Sequence, residues 1–259
     1  MTASALAKRL LDAAVDWIVP EWPVPPRVQA FATTRNGGVS AGRHSTLNLG
    51  NACGDDPAAV AENRSRVQSF LPSTPVWLRQ VHGNAVVKVA SETLGAVRTA
   101  PAVADAAVTR EPRVVLAVMV ADCLPVLLAD RSGRVIGVAH AGWRGLAGGV
   151  LENVVAAMEA PPGDIVAWLG PAIGQRAFEV GEDVVAAFGD ADVSRYFEAA
   201  RPGKWHADLY AIARARLDRA GVRAICGGGY CTFHDTARFF SHRRDRDTGR
   251  MAAFLWLAP

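Results

Sequence analysis

The sequence predicts an α+β fold, and three observations carry that prediction. Short β-rich runs follow one another over residues 76–90 and again over 104–138, helical patterns stand between and after these groups, and no internal repeat or linker divides the chain. With 259 residues, half of them apolar, a sizeable core is available. One domain spanning 1–259 is expected, with 1–26 as an N-terminal helix and connector.

Over residues 1–19, Leu6, Leu10, Leu11, Ala14, Val15 and Ile18 recur at helical spacing with Lys8, Arg9, Asp12 and Asp16 between them. Residues 20–26 form a proline-rich connector, and 27–34 alternate as a strand does. A glycine-bearing loop over 33–40 leads on to Leu47-Asn48-Leu49-Gly50. Asp55 and Asp56 ahead of Pro57 mark an N-cap and first turn, opening a helix with Val60, Arg64, Val67 and Leu71 on related faces. The two β-rich groups, turned at sites such as Arg131-Ser132-Gly133-Arg134, imply a mostly antiparallel or mixed sheet. Residues 146–160 read as a helix with Leu151, Val154, Val155 and Met158 on one stripe, ended by Pro161-Pro162-Gly163. A strand over 165–169, helices near 183–188 and 207–220, and a last strand over 252–257 complete the order.

Composition narrows the function. The net charge is only +3 and no run of five or six lysines and arginines occurs, so charge implies neither nucleic acid nor an anionic membrane as partner. The N-terminal residues lack the uninterrupted apolar stretch of a signal peptide, and the longest apolar run, 114–120, falls far short of the ~20 residues that span a bilayer. A cytoplasmic location is expected. Cys53, Cys123, Cys226 and Cys231 are then read as free thiols or metal ligands in a reducing compartment. Cys226 and Cys231 with His234 form a second possible metal cluster, although Gly227-Gly228-Gly229 between them reads more simply as a strand and turn.

The chemistry concentrates in three places: His82 in Gln80-Val81-His82-Gly83, Cys123 in Ala121-Asp122-Cys123-Leu124-Pro125, and His140 ahead of Ala141-Gly142-Trp143-Arg144-Gly145. All three stand at ends of strand-like runs, where side chains can converge. Two imidazoles and one thiolate suit zinc with an open fourth position, and copper can substitute on the same donors. Singly, a cysteine or histidine is usually core or surface; the neighbouring glycines and Pro125 suggest a backbone shaped for close approach. A cysteine hydrolase, with Cys123 as nucleophile and His140 or His82 as base, is the rival reading of the same residues.

Further motifs are Thr33-Thr34-Arg35 with Gly37-Gly38-Val39-Ser40, Asn48-Leu49-Gly50, Asn63-Arg64, Gly170-Pro171, Phe178-Glu179-Val180-Gly181 and Phe239-Phe240-Ser241 through Gly249-Arg250. Together with the three above, they resemble the laccase-domain proteins, also called the YfiH-like or polyphenol oxidase family, from about Val28 to the end. The resemblance implies a layered α/β/β/α arrangement and a zinc-binding purine nucleoside phosphorylase that cleaves inosine, adenosine and methylthioadenosine, with adenosine deaminase activity. It also implies His82, Cys123 and His140 as the metal ligands. A role in correcting cell-wall precursors has been proposed for the family and belongs with the hydrolase reading. His242 departs from the tyrosine usual between Ser241 and Arg243, which puts substrate stacking there in doubt. Copper-dependent phenol oxidation, the family's older activity, would need a multinuclear centre with far more histidines than the six present.

Phosphorolysis requires a phosphate held beside the ribose while the purine leaves, so arginines become candidates: Arg35 and Arg64 first, with Arg144, Arg243 and Arg244 behind them. Each is also a common surface side chain. Asn48 suits ribose or base, or caps its own turn. Asp122 orients a ligand or makes a structural hydrogen bond, facing away from Cys123 if it lies on a strand. Trp143 packs beneath the site or stacks on a base, and Gln80 shares the face of His82. No glutamate stands beside the ligands to shuttle the proton that deamination needs.

Overall fold

The computed structural model describes residues 5–189 and 193–259. Twelve strands occur among them: β1 (Val28–Ala32), β2 (Val86–Val89), β3 (Ala106–Thr109), β4 (Leu116–Val120), β5 (Leu124–Asp130), β6 (Ile136–Ala141), β7 (Ile165–Leu169), β8 (Glu179–Val180), β9 (Phe197–Arg201), β10 (Lys204–Ala207), β11 (Ala224–Gly227) and β12 (Met251–Leu257). They form a six-stranded sheet in the order β11-β7-β5-β6-β3-β2, a three-stranded sheet β1-β12-β4, and a small sheet β8-β10-β9. The large sheet is mixed: β11 runs parallel to β7 and β2 to β3, while the other pairs are antiparallel.

Alternation along the strands builds the layers. In β5, Leu124, Val126 and Leu128 point to a core shared with Leu151, Val154 and Val155 of the helix Val150–Ala157 and Ile212, Ala213 and Leu217 of the helix Leu209–Arg219. Leu127 and Ala129 point the other way, onto β4 and β12. Within β12 the same period of two sends Met251, Ala253, Leu255 and Leu257 inward to the large sheet and Ala252, Phe254 and Trp256 outward to Leu6, Leu10 and Val67. Helix, sheet, sheet, helix is therefore the stacking order, as the resemblance implied.

Element boundaries depart from expectation in instructive ways. The N-terminal helix ends at Asp12, because Ala14 turns left-handed (φ 53°) and the N–H groups of Ala14 and Val15 bond back to Leu11 and Leu10 in a Schellman-type stop. Expected as one helix, 146–160 is two, Trp143–Ala147 and Val150–Ala157, broken where Gly149 adopts φ 85°. The helix Ser91–Thr99 buries only Val97, and the strands of the small sheet are short; neither carried a readable period. Asp56 caps the helix Pro57–Gln68 as expected, accepting from the Ala58 N–H.

Candidate metal centre

Strand order and direction bring the three ligand candidates to one edge. Because β2 and β3 run parallel and β6 runs antiparallel to both β3 and β5, the starts of β2, β3 and β5 and the end of β6 lie together. Cys123 immediately precedes β5, His140 is the penultimate residue of β6 opposite Pro125, and His82 sits in the turn leading to β2. Their ligand atoms all lie within 4.8 Å of one another, and the two imidazole rings stand 4.9 Å apart at 77°. Donors around a tetrahedral zinc are roughly 3.5 Å apart for bonds of about 2.0–2.3 Å, so a set confined within 4.8 Å matches such an ion in donor chemistry and approaches it in spacing. Among the described residues it is the only such group of three. Cys226, Cys231 and His234 do not form one.

The residue that sequence reasoning missed is Asp105, which precedes β3 and is fully buried. Its carboxylate accepts three consecutive main-chain N–H groups, from Val81 (3.1 Å), His82 (2.9 Å) and Gly83 (2.8 Å), and meets His140 Nδ1 at 2.8 Å. The His140 N–H also donates to the Asp105 carbonyl at 2.7 Å. A run of N–H groups wrapped on an anion is a nest, and it holds His82 in the left-handed region at φ 60°, uncommon for a residue with a Cβ. With Nδ1 engaged, His140 has Nε2 free to face the cysteine. The available sequence signal was an aspartate at the head of a strand-like run, which spacing alone does not connect to either histidine. Gly142 completes the backbone: a Cβ there would stand 2.9 Å from Cys123 Sγ and 3.3 Å from His82 Cδ2.

Electrostatics couple the donors. Burial pushes the Cys123 thiol up, but the His140 charge and hydrogen bonds from both imidazoles outweigh it and bring it down to about 6. Burial lowers His140, while the Cys123 sulfur and Asp105 raise it to about 9. Burial alone raises Asp105, yet His140 and the nest N–H groups hold its carboxyl below the usual range.

The three donors line a cavity of about 670 Å³, walled by Leu78, Met119, Ile173, Phe178 and Trp143 and rimmed by Arg79, Arg144, Arg243 and Arg250. Of the substrate and phosphate candidates, Arg35, Asn48, Arg64 and Arg244 do not line it. Arg35 donates to the Ser45 and Thr236 carbonyls and lies 4.7 Å over the Phe240 ring. Arg64 gives two hydrogen bonds to the Leu49 carbonyl and lies over Trp77. Arg244 donates to the carbonyls of Thr232, Phe233 and Phe239 and pairs with Asp245. Asn48 is fully buried, bridging Gly50, Asp55 and Arg250, so it caps its own turn. Each is occupied by backbone or buried polar partners. Arg144, exposed and 4.3 Å over the Trp143 ring, and Arg243, with one arm on the Glu179 carbonyl, do face the cavity. Trp143 both packs on the helix-side core and lines the cavity. Gln80 pairs twice with the Met119 backbone (2.8 Å each), and His242 binds the Arg246 carbonyl at the rim.

Asp122 lies in a turn, not on a strand, at φ 89°. Its carboxylate accepts from Thr232 Oγ1 and from the Arg243 N–H, both at 2.6 Å, which fastens the turn that delivers Cys123. That is the structural role, not an imidazole contact.

Residues 29–258 match the family model described as multi-copper polyphenol oxidoreductase laccase. A Pseudomonas aeruginosa protein named as a purine nucleoside phosphorylase is 50% identical over 245 residues, covering 93% of this chain and 98% of its own length. The Escherichia coli purine nucleoside phosphorylase YfiH is also 50% identical, over 243 residues, with the same coverage. A crystal structure of a Neisseria meningitidis protein superposes with a TM-score of 0.88 at 48% identity, covering 94% of this chain and all of that one.

Proposed function

This chain belongs to the multi-copper polyphenol oxidoreductase laccase family, and from that premise we propose that it is a zinc-dependent purine nucleoside phosphorylase acting in the cytoplasm on inosine, adenosine and methylthioadenosine. The observation that carries the reading is the meeting of two imidazoles, a thiol and several arginines at one cavity, in a chain half-identical to enzymes named for that reaction.

His82, Cys123 and His140 would hold the metal, the last through Nε2. Bound there, zinc would supply a Lewis acid. Asp105 orients two of the three donors, by gripping the His82 turn and by fixing the His140 tautomer. The apolar wall of Leu78, Met119, Ile173 and Phe178 receives the purine and keeps water from it. Arg144 and Arg243 offer N–H groups with which to hold phosphate against the ribose, Arg144 lying exposed over the Trp143 ring.

Deamination has weaker support from the same residues. It needs a carboxylate to move protons between water and the purine, and Asp122, the carboxylate lining the cavity, is already committed to Thr232 and Arg243. Copper on the same donors is the alternative metal.

The deciding experiment combines elemental analysis of protein purified without added metal with product analysis on inosine, with and without phosphate. Stoichiometric zinc and phosphate-dependent ribose 1-phosphate support the reading. Turnover that survives complete chelation would instead favour Cys123 as a nucleophile.

A further inference from the structure

Cys231 and His234 stood out in the sequence, and the nucleoside reaction leaves them unused. Sγ of Cys231 lies 3.2 Å from Nδ1 of His234, and the Gly174 N–H reaches the same sulfur at 3.3 Å. We propose that Cys231 is a peroxide-reactive thiol whose oxidation and subsequent thiolation loosen the wall of the cavity.

A thiol attacks as its thiolate, so it needs a proton acceptor and a hydrogen bond for the resulting charge. The imidazole supplies the first and the Gly174 N–H the second. Access is present too: His234 is exposed and Cys231 half-buried. With hydrogen peroxide as oxidant, sulfur attacks one peroxide oxygen; the S–O bond forms as the O–O bond breaks. Sulfur loses two electrons, and the departing hydroxide takes the proton held on His234 and leaves as water. A small thiol then displaces the sulfenic oxygen, giving a mixed disulfide and a second water.

The surroundings carry the event inward. Cys231 abuts Gly174, where even a Cβ would stand only 3.2 Å from the sulfur. Next along the chain, Thr232 holds the Asp122 carboxylate and donates its N–H to the Ala172 carbonyl, and the Ile173 N–H donates to the Asp122 carbonyl at 2.9 Å. Ile173 lines the cavity. Arg244 clamps the Thr232 and Phe233 carbonyls, which ties down the segment after Cys231 and sets an adduct against the glycine side.

The first arm of the test needs no nucleoside. Dilute hydrogen peroxide with dimedone, followed by peptide mass mapping, should label Cys231 about ten-fold or more faster than Cys226, and His234→Ala should bring the two rates together. Equal rates in the wild type, or an unchanged Cys231 rate in His234→Ala, would overturn the proposal. The second arm adds peroxide and then glutathione. Amide hydrogen exchange over 170–174 should accelerate several-fold in the wild type, return to normal with dithiothreitol, and stay unchanged in Cys231→Ser. Acceleration in Cys231→Ser equal to that in the wild type would remove the link to the cavity. Because neither arm measures turnover, failure of the phosphorylase reading leaves both results interpretable.

Discussion

The sheet edge that carries His82, Cys123 and His140 and the N-terminal loops that carry Arg35, Asn48 and Arg64 are both rich in polar motifs, yet the fold uses them oppositely. At the edge, ladder hydrogen bonds and, at the His82 turn, the Asp105 carboxylate satisfy the main chain, so the His82, Cys123 and His140 side chains are free to face a cavity. In the loops no ladder exists, and buried carbonyls and amides must find side-chain partners. Arg35, Asn48 and Arg64 serve there with Asn63, which is fully buried and binds Val39, Ser40, Thr46 and Asn48. A polar residue at a strand end can therefore be left over for a ligand. A polar residue in a buried loop is usually consumed.

Substitutions can break or sharpen that contrast. Replacing Cys123 with Ser or His140 with Ala should abolish metal retention and lower turnover by about 100-fold or more, read by elemental analysis and ribose 1-phosphate release. Asn48→Ala should instead cost about 2–3 kcal/mol of stability in urea titration, with metal content and phosphate KM unaltered. Loss of phosphate affinity at unaltered stability would show that the loop region belongs to the site after all. Asp105→Asn, which presents an amide to donors that need a carboxylate, should weaken zinc binding by about 10- to 100-fold in chelator competition and speed amide exchange at His82 and Gly83. For Arg144→Ala the expectation is a rise of about ten-fold in phosphate KM, with zinc content unchanged.

The smallest effect concerns acid. Burial pushes Asp55 up, but hydrogen bonds from Ser40, Asn48 and the Asp56 N–H, together with His44, hold its carboxyl below the usual range. A lowered folded pKa contributes stability that is fully present above the unfolded value of about 3.9 and disappears as pH falls through the folded one. Urea midpoints of the wild type should thus decline on acidification through and below about pH 4, and those of Asp55→Asn should decline less. Parallel declines would show that the loop does not depend on this charge.

Legibility followed the same division. The strand Ile165–Leu169 and the capped helix from Pro57 were readable because period and punctuation are local. The meeting of His82, Cys123 and His140 was readable because rare ligand types stood beside glycine and proline. The break at Gly148-Gly149 was visible as two glycines, but the apolar stripe continuing to Met158 concealed it. Asp105 could not be linked to His82 and His140, since 23 and 35 residues separate them and only strand pairing closes the distance.

By itself the sequence determined most of the element types, the mixed α and β character and the three candidate donors, because hydrophobic period, caps and ligand chemistry act within a few residues. Tertiary structure alone decided which arginines face the cavity, which are consumed by loop carbonyls, and which carboxylate positions the donors. Those outcomes depend on strand order and register, and on a hydrogen-bond balance that closes only when distant segments have packed.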